Sequence, residues 1–160
     1  MSIQVGDQIP DVTLKRLGAD GMEEVSTGAL FAGKKVVMFA VPGAFTPTCS
    51  AKHMPGFVDH ADDLAAKGVE TVACLSVNDP FVMQAWEKDQ NAGDIVEMLP
   101  DGNGEFTAAL GLEMDGTPFG LGPRSKRFAL IAEDGVVKDL LVEEGGGLDV
   151  SSAENVLSKL

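Results

Sequence analysis

Two apolar runs constrain the fold more than anything else in the chain. Lys35 to Val41 (KVVMFAV) and Val69 to Val77 (VETVACLSV) are β-branched or apolar at nearly every position. That is the pattern of strands buried on both faces. Between them a helical pattern begins at Thr48 and runs to Lys67, with a kink predicted at Pro55–Gly56 and a fitting stop at Gly68. Strand, helix and strand in this order imply a right-handed parallel crossover. Downstream, Asn78 or Asp79 can cap a further helix that has Pro80 in its first turn and carries Phe81, Ala85 and Trp86 on one face. Ile95 to Leu99 reads as a short strand and Phe106 to Leu110 as a short helix. Arg127 to Ala132 and Val136 to Leu141 flank Glu133-Asp134-Gly135, a hairpin signal. Ser151 to Leu160 closes with a helix started by Ser151 or Ser152 and Glu154. Ahead of the first run, Ile3 to Leu17 reads as extended pieces around Gly6 and Pro10, and Glu24 to Phe31 as a polar stretch ending in a short turn. The expectation is one α/β domain over residues 1–160, with a central mixed sheet and helices on both faces.

Charge narrows the partners. Twelve Lys and Arg against 25 Asp and Glu leave a net charge of −13. Such a chain repels phosphates and anionic membranes, and its densest basic cluster is only Arg124, Lys126 and Arg127. No nucleic acid or membrane partner is therefore expected. The longest apolar runs also fall far short of the roughly 20 residues of a membrane helix. The opening MSIQVGDQIPDV lacks the basic and apolar regions of a targeting peptide. Two cysteines, Cys49 and Cys74, make no disulfide framework, so both are expected as thiols in a reducing, cytoplasmic setting. No metal site is expected, since zinc wants four clustered ligands. Asp101-x-Asn103-x-Glu105 has Phe106 where a calcium loop needs glycine.

The informative segment is PGAFTPTCSAKHMPGF, Pro42 to Phe57. A buried strand ends, a Pro/Gly loop turns, and Cys49 falls in the first turn of the next helix. Free backbone N–H groups and the positive end of the helix dipole favour a thiolate there. Thr46, three residues earlier, can turn its hydroxyl toward the sulfur or toward a substrate oxygen. A lone thiol is most often a small buried hydrophobe, but the strand-to-helix junction argues for a reactive one. His53 lies one helical turn after Cys49 and shares its face, as a nucleophile partner or a structural residue.

This segment closely resembles the active-site segment of peroxiredoxins, in particular the peroxiredoxin 5 or type II group. The likeness continues through VGDQIPDVTL, SVNDPFVMQAW, LPDGNGEFTAALGL and RSKRFALIAEDGVV. It implies a thioredoxin-like fold, with which the element order is compatible. It implies a thiol peroxidase that reduces hydrogen peroxide and alkyl hydroperoxides, in antioxidant defence and redox homeostasis. By the resemblance, Cys49 matches the peroxidatic cysteine and Thr46 the threonine that hydrogen-bonds the peroxide. Arg127 matches the arginine that holds the thiolate, with Arg124 as the weaker competitor, and Pro42 the proline that shields the pocket. His53 is then expected to be structural rather than a general base. No cofactor is implied beyond an external thiol reductant, and a homodimer is implied.

Attack on peroxide leaves a sulfenic acid that must be reduced. Animal-type members carry a resolving cysteine where this chain has Val150. Cys74 matches the second cysteine of plant and bacterial members, but it lies mid-strand, where a thiol usually serves packing. Direct reduction by glutathione, glutaredoxin or thioredoxin is the favoured expectation, through an open pocket at the helix start. A thiol–disulfide oxidoreductase on the same fold would need Cys-x-x-Cys, and Thr46 and Lys52 stand at those positions. A non-catalytic module would have lost the Thr, Cys or Arg, and all three are present.

Overall fold

The computed structural model describes residues 2–145 and 147–160. Its centre is a five-stranded sheet formed by β3 (Lys35–Ala40), β4 (Thr71–Ser76), β5 (Glu97–Pro100), β8 (Phe128–Glu133) and β9 (Val136–Val142). The spatial order is β5-β4-β3-β8-β9. β3, β4 and β5 run parallel, while β8 and β9 are antiparallel to their neighbours. This is the mixed sheet expected from the two apolar runs, which supply its central pair of parallel strands. The sheet is covered on both faces. Met54 and Phe57 of α2 (Met54–Asp59), Leu64 of α3 (Ala61–Ala66), Met83 and Trp86 of α4 (Pro80–Asp89), and Val156 of α6 (Ala153–Lys159) pack on one side. Phe31 of α1 (Thr27–Phe31) and Phe106 and Leu110 of α5 (Glu105–Leu110) pack on the other, with Ile3, Ile9 and Leu14.

The hairpin of β8 and β9 turns at Asp134 and Gly135, both with positive φ (47° and 78°), the geometry a two-residue hairpin needs to match strand twist. Asp79 caps α4 by accepting from Val82 N–H (2.9 Å), and Ser152 caps α6 by accepting from Asn155 N–H (3.2 Å).

Three local expectations are corrected or made more exact. The helix after Thr48 runs unbroken through Pro55–Gly56, where the sequence signalled a kink. It opens with a wide π-helical turn, Cys49–His53, in which Met54 N–H donates to Cys49 O, and passes into α2 at the proline. Pro55 has no N–H to contribute, and the change of register falls where that donor is missing. The break comes instead at His60 (φ −99°, ψ 13°), between α2 and α3. On α4 the buried stripe is Met83 and Trp86, whereas Phe81 and Ala85 are exposed. Phe81 is two residues from Met83, about 200° around the helix. The polar stretch before Phe31 is in fact a strand, β2 (Gly21–Ser26), paired antiparallel with β1 (Thr13–Gly18). A second small pair, β6 (Glu113–Asp115) with β7 (Pro123–Ser125), was not signalled by the sequence. The Gly145 to Gly147 loop falls in part on Gly146, outside the described residues.

Candidate active site

β3 delivers the chain to the rim of the sheet, and its end is pinned by Val41 N–H donating to Leu75 O (3.0 Å). The Pro42–Thr46 loop follows. Phe45 takes a positive φ of 62°, Ala44 N–H donates to Asn78 Oδ1 (3.0 Å), and Arg124 Nη1 donates to Pro42 O (3.2 Å). An added Cβ at Gly43 would lie 2.8 Å from Arg124 Nη1 and 3.1 Å from Thr46 Cγ2, so a larger residue there would displace the Arg124 guanidinium. Arg124 also donates from Nε to Leu121 O (3.0 Å), so it is a strut for the loop, and its hydrogen bonds go to backbone carbonyls rather than to the sulfur.

Cys49 opens the wide turn and is fully buried. Arg127, just ahead of β8 and also buried, donates from Nη2 to Cys49 Sγ (3.1 Å). Its Nη1 donates to His53 Nδ1 (2.9 Å), and its Nε has no partner among the described residues. His53 in turn donates from Nε2 to Ser151 O (2.9 Å). Phe39 and Phe57 stack in parallel (centroids 4.2 Å apart, 4° between planes), and both rings flank the His53 imidazole at 4.9 and 5.6 Å. Burial, reinforced by the Arg127 charge, lowers the His53 pKa to about 3, so the ring is neutral. The Glu143 carboxylate loses by partial burial, but donors from Asp149 N–H, Ser151 Oγ and Ser151 N–H outweigh that and hold its pKa below the usual range.

Cys49, Arg127, Thr46 and Pro42 are brought together at one end of the sheet. The Thr46 hydroxyl donates to Gly43 O (2.7 Å), which leaves its lone pairs free to accept. Cys74 is on the same side of the sheet, in the same apolar cluster as Cys49, opposite Phe39 in the β3–β4 register. Burial first, and the Cys49 charge second, push its pKa well above the ordinary value. One expectation fails: the Cys49 sulfur does not face an open pocket, since the residue has no solvent exposure. Sequence reasoning also missed the parts played by Glu143, Ser151 and Asn78. Of these Asn78 and Ser151 left a signal only as candidate helix caps, and Asp79 and Ser152 take those positions instead. Trp86 Nε1 donates to Ser50 Oγ (3.0 Å), which ties α4 to the residue after Cys49. Among the described residues no group of three His, Cys, Asp or Glu could hold a metal.

A thiol at a helix start, faced by a buried arginine on a mixed sheet, defines a thiol enzyme of thioredoxin-like fold. Comparison with known proteins makes the class specific. Residues 4–157 match the family model described as Redoxin. Peroxiredoxin-2E, chloroplastic, of Arabidopsis thaliana is 55% identical over 163 residues, covering 99% of this chain and 70% of that protein. The crystal structure of reduced Prx3 from Vibrio vulnificus in complex with H2O2 is 52% identical, covers 98% of both chains and superposes with a TM-score of 0.94. A Burkholderia cenocepacia structure assigned provisionally as a thioredoxin reductase is 47% identical, with a TM-score of 0.97 over 100% of this chain and 99% of that one. Here the two cysteines lie 25 positions apart, not at a dithiol spacing. The chain belongs to the redoxin family, among the peroxiredoxins of the type II group, which are thiol-dependent peroxidases.

Proposed function

We propose that Cys49 is the peroxidatic nucleophile of a peroxidase acting on hydrogen peroxide and alkyl hydroperoxides. The observation that carries this reading is the Arg127 Nη2 to Cys49 Sγ hydrogen bond of 3.1 Å inside a dry site. A guanidinium there favours the thiolate and is placed to bind the oxygens as charge builds on them. The thiolate attacks one peroxide oxygen in line. The S–O bond forms, the O–O bond breaks, and sulfur is oxidised by two electrons to a sulfenic acid. The departing alkoxide or hydroxide takes up a proton and leaves as alcohol or water. Thr46, its own proton committed to Gly43 O, accepts the peroxide O–H and so fixes which oxygen faces the sulfur. Pro42 carries no N–H and walls the pocket without adding a donor. Because the sulfur is buried, entry begins with a small displacement at the half-buried Pro42 and Thr46.

Recycling is assigned to an external thiol: glutathione, glutaredoxin or thioredoxin. What favours it is the relative cost of two openings. Exposing Cys49 asks for one helical turn to unwind, breaking local bonds such as Ser50 N–H to Thr46 O (2.9 Å). Exposing Cys74 asks for a strand paired on both edges to come apart. A Cys74 whose thiolate is suppressed by burial is also a slow attacker. The sulfenic acid condenses with the external thiol, releasing water, and a second thiol displaces Cys49 from the mixed disulfide. After one equivalent of peroxide and then glutathione, mass spectrometry should find sulfenic acid or a glutathione adduct on Cys49. A stoichiometric Cys49–Cys74 disulfide with lost turnover in Cys74→Ser would overturn this route.

The same reading includes a homodimer and a cytoplasmic setting. The dimer is supported by Phe45, Phe81 and Phe119, which are 52%, 64% and 77% exposed on segments tied to the active-site loop. Sedimentation showing only monomer at micromolar concentration would refute it. Two thiols of a resting enzyme suit a reducing compartment, and recovery of the protein in an exported fraction would refute the setting.

A further inference from the structure

The His53 imidazole is a buried titratable group in direct contact with the Arg127 guanidinium, and the chemistry above gives it no part. Its two ring nitrogens have different and unambiguous partners. Nδ1 faces Arg127 Nη1 at 2.9 Å, and a guanidinium only donates, so Nδ1 must present its lone pair. Nε2 faces the Ser151 carbonyl oxygen at 2.9 Å, which only accepts, so Nε2 must carry the proton. Geometry alone therefore selects one tautomer and excludes the imidazolium, whose second N–H would point at a cation. Burial acts in the same direction, with the pKa lowered to about 3.

The choice of a neutral acceptor matters for the charge. Arg127 makes its two side-chain bonds to His53 and Cys49 and leaves Nε unpaired, so among the described residues no carboxylate takes its positive charge. A carboxylate at position 53 would orient the guanidinium equally well but would neutralise it. An imidazole lone pair orients it and leaves the charge for the sulfur. The charged groups facing the ring are Arg127, from ahead of β8, and Glu143, from beyond β9. Glu143 is not in contact with the imidazole but governs its far side. Its backbone N–H donates to Arg127 O (3.0 Å). Its carboxylate holds Ser151 through the backbone N–H (2.9 Å) and Oγ (2.7 Å).

We propose that His53 is a positioning residue, fixed as the Nε2–H tautomer between Ser151 and Arg127, that aims the guanidinium at the Cys49 sulfur without spending its charge. The proposal rests on the peroxidase reading, but its first test does not. In the intact reduced protein, 15N spectra of the His53 ring should show Nδ1 unprotonated and Nε2 protonated, with no titration from pH 4 to pH 8. The opposite tautomer, or a titration in that range, overturns the proposal whatever the protein's activity.

The second test is kinetic. His53→Leu should lower the second-order rate constant with hydrogen peroxide by about tenfold, the loss expected for one charge-assisted hydrogen bond. His53→Gln, whose amide can accept from Arg127 and donate to Ser151 O, should keep at least about a third of the rate. In an Arg127→Ala background, His53→Leu should change the rate less than about twofold, because the group it positions is gone. Equal losses in Leu and Gln, or a full additional loss in the Arg127→Ala background, would reduce His53 to packing. If His53→Leu does not fold, the wild-type tautomer and the His53→Gln rate still decide. An Arg127→Ala protein that keeps the full peroxide rate would instead refute the peroxidase assignment of Arg127 and leave the tautomer result standing.

Discussion

Cys49 and Cys74 are both fully buried thiols in one apolar cluster on one side of one sheet, yet their surroundings prepare them for opposite behaviour. Cys74 is the middle of a strand, hydrogen-bonded along both edges, and among the described residues no donor reaches its sulfur. Burial there pushes the pKa well up, and a Cys49 thiolate nearby pushes it further. Cys49 is equally dry but sits where a strand hands over to a helix, with a guanidinium 3.1 Å from the sulfur. Burial does not set the chemistry of a thiol. What sets it is whether a donor is buried alongside.

The strongest way to break this comparison is to exchange the sulfurs for oxygens one at a time. Cys49→Ser should lower peroxide turnover by at least about a thousandfold with the circular dichroism unchanged, since the nucleophile itself is lost. Cys74→Ser should keep most turnover with an external thiol. A Cys74→Ser enzyme as dead as Cys49→Ser would erase the distinction.

Removing the donor sharpens it. Arg127→Ala should slow the reaction of reduced protein with peroxide by about 10- to 100-fold, the range for a charge-assisted hydrogen bond in a dry site. Arg124→Ala, which only loosens the Pro42 loop, should cost less. A larger effect at Arg124 would put the functional cation in the wrong place.

The smallest effect is on stability. The His53 pKa falls from 6.5 unfolded to about 3 folded, so between those values the unfolded chain binds a proton that the native state excludes. Stability is then fully present above the unfolded value and declines as pH drops, by about 2–3 kcal/mol between pH 6 and pH 4. His60 contributes with the opposite sign. Its hydrogen bond to Asp63 foremost, helped by Glu154, raises its pKa, so its stabilisation fades as pH rises through that raised value. Denaturant melts of wild type and His53→Gln at the two pH values would check the first of these. Curves that remain parallel would remove His53 as the source.

The sequence carried the central sheet because Lys35 to Val41 and Val69 to Val77 are apolar on both faces, which only a buried strand satisfies. It did not carry the β1–β2 pair. Glu23 and Glu24 are exposed and pair with the half-buried Arg16 and with Lys15, so neither strand alternates cleanly enough to be read. The Cys49–Arg127 juxtaposition came from a long motif and not from spacing, because the two residues share no local pattern. His53 was visible as a residue on the face of Cys49, but its partners come from the two ends of the β8–β9 hairpin and beyond, which no local periodicity encodes. The openness expected of the helix start failed for the same reason: what buries the sulfur is distant in sequence.

That distance has a consequence for a chain under synthesis. The guanidinium that faces Cys49 is 78 residues further along, and the carbonyl that fixes His53 is 98 residues beyond it. A nascent chain that has already exposed the PTCSAKH segment to the cell has nothing with which to activate it, and its sulfur behaves as any cysteine in a peptide. Only after the β8–β9 hairpin and the segment that follows have left the ribosome and closed against β3 can the long-range contacts form. Oxidant sensitivity therefore arrives only once those distant segments have been made, and a chain that stops short of them is left chemically quiet.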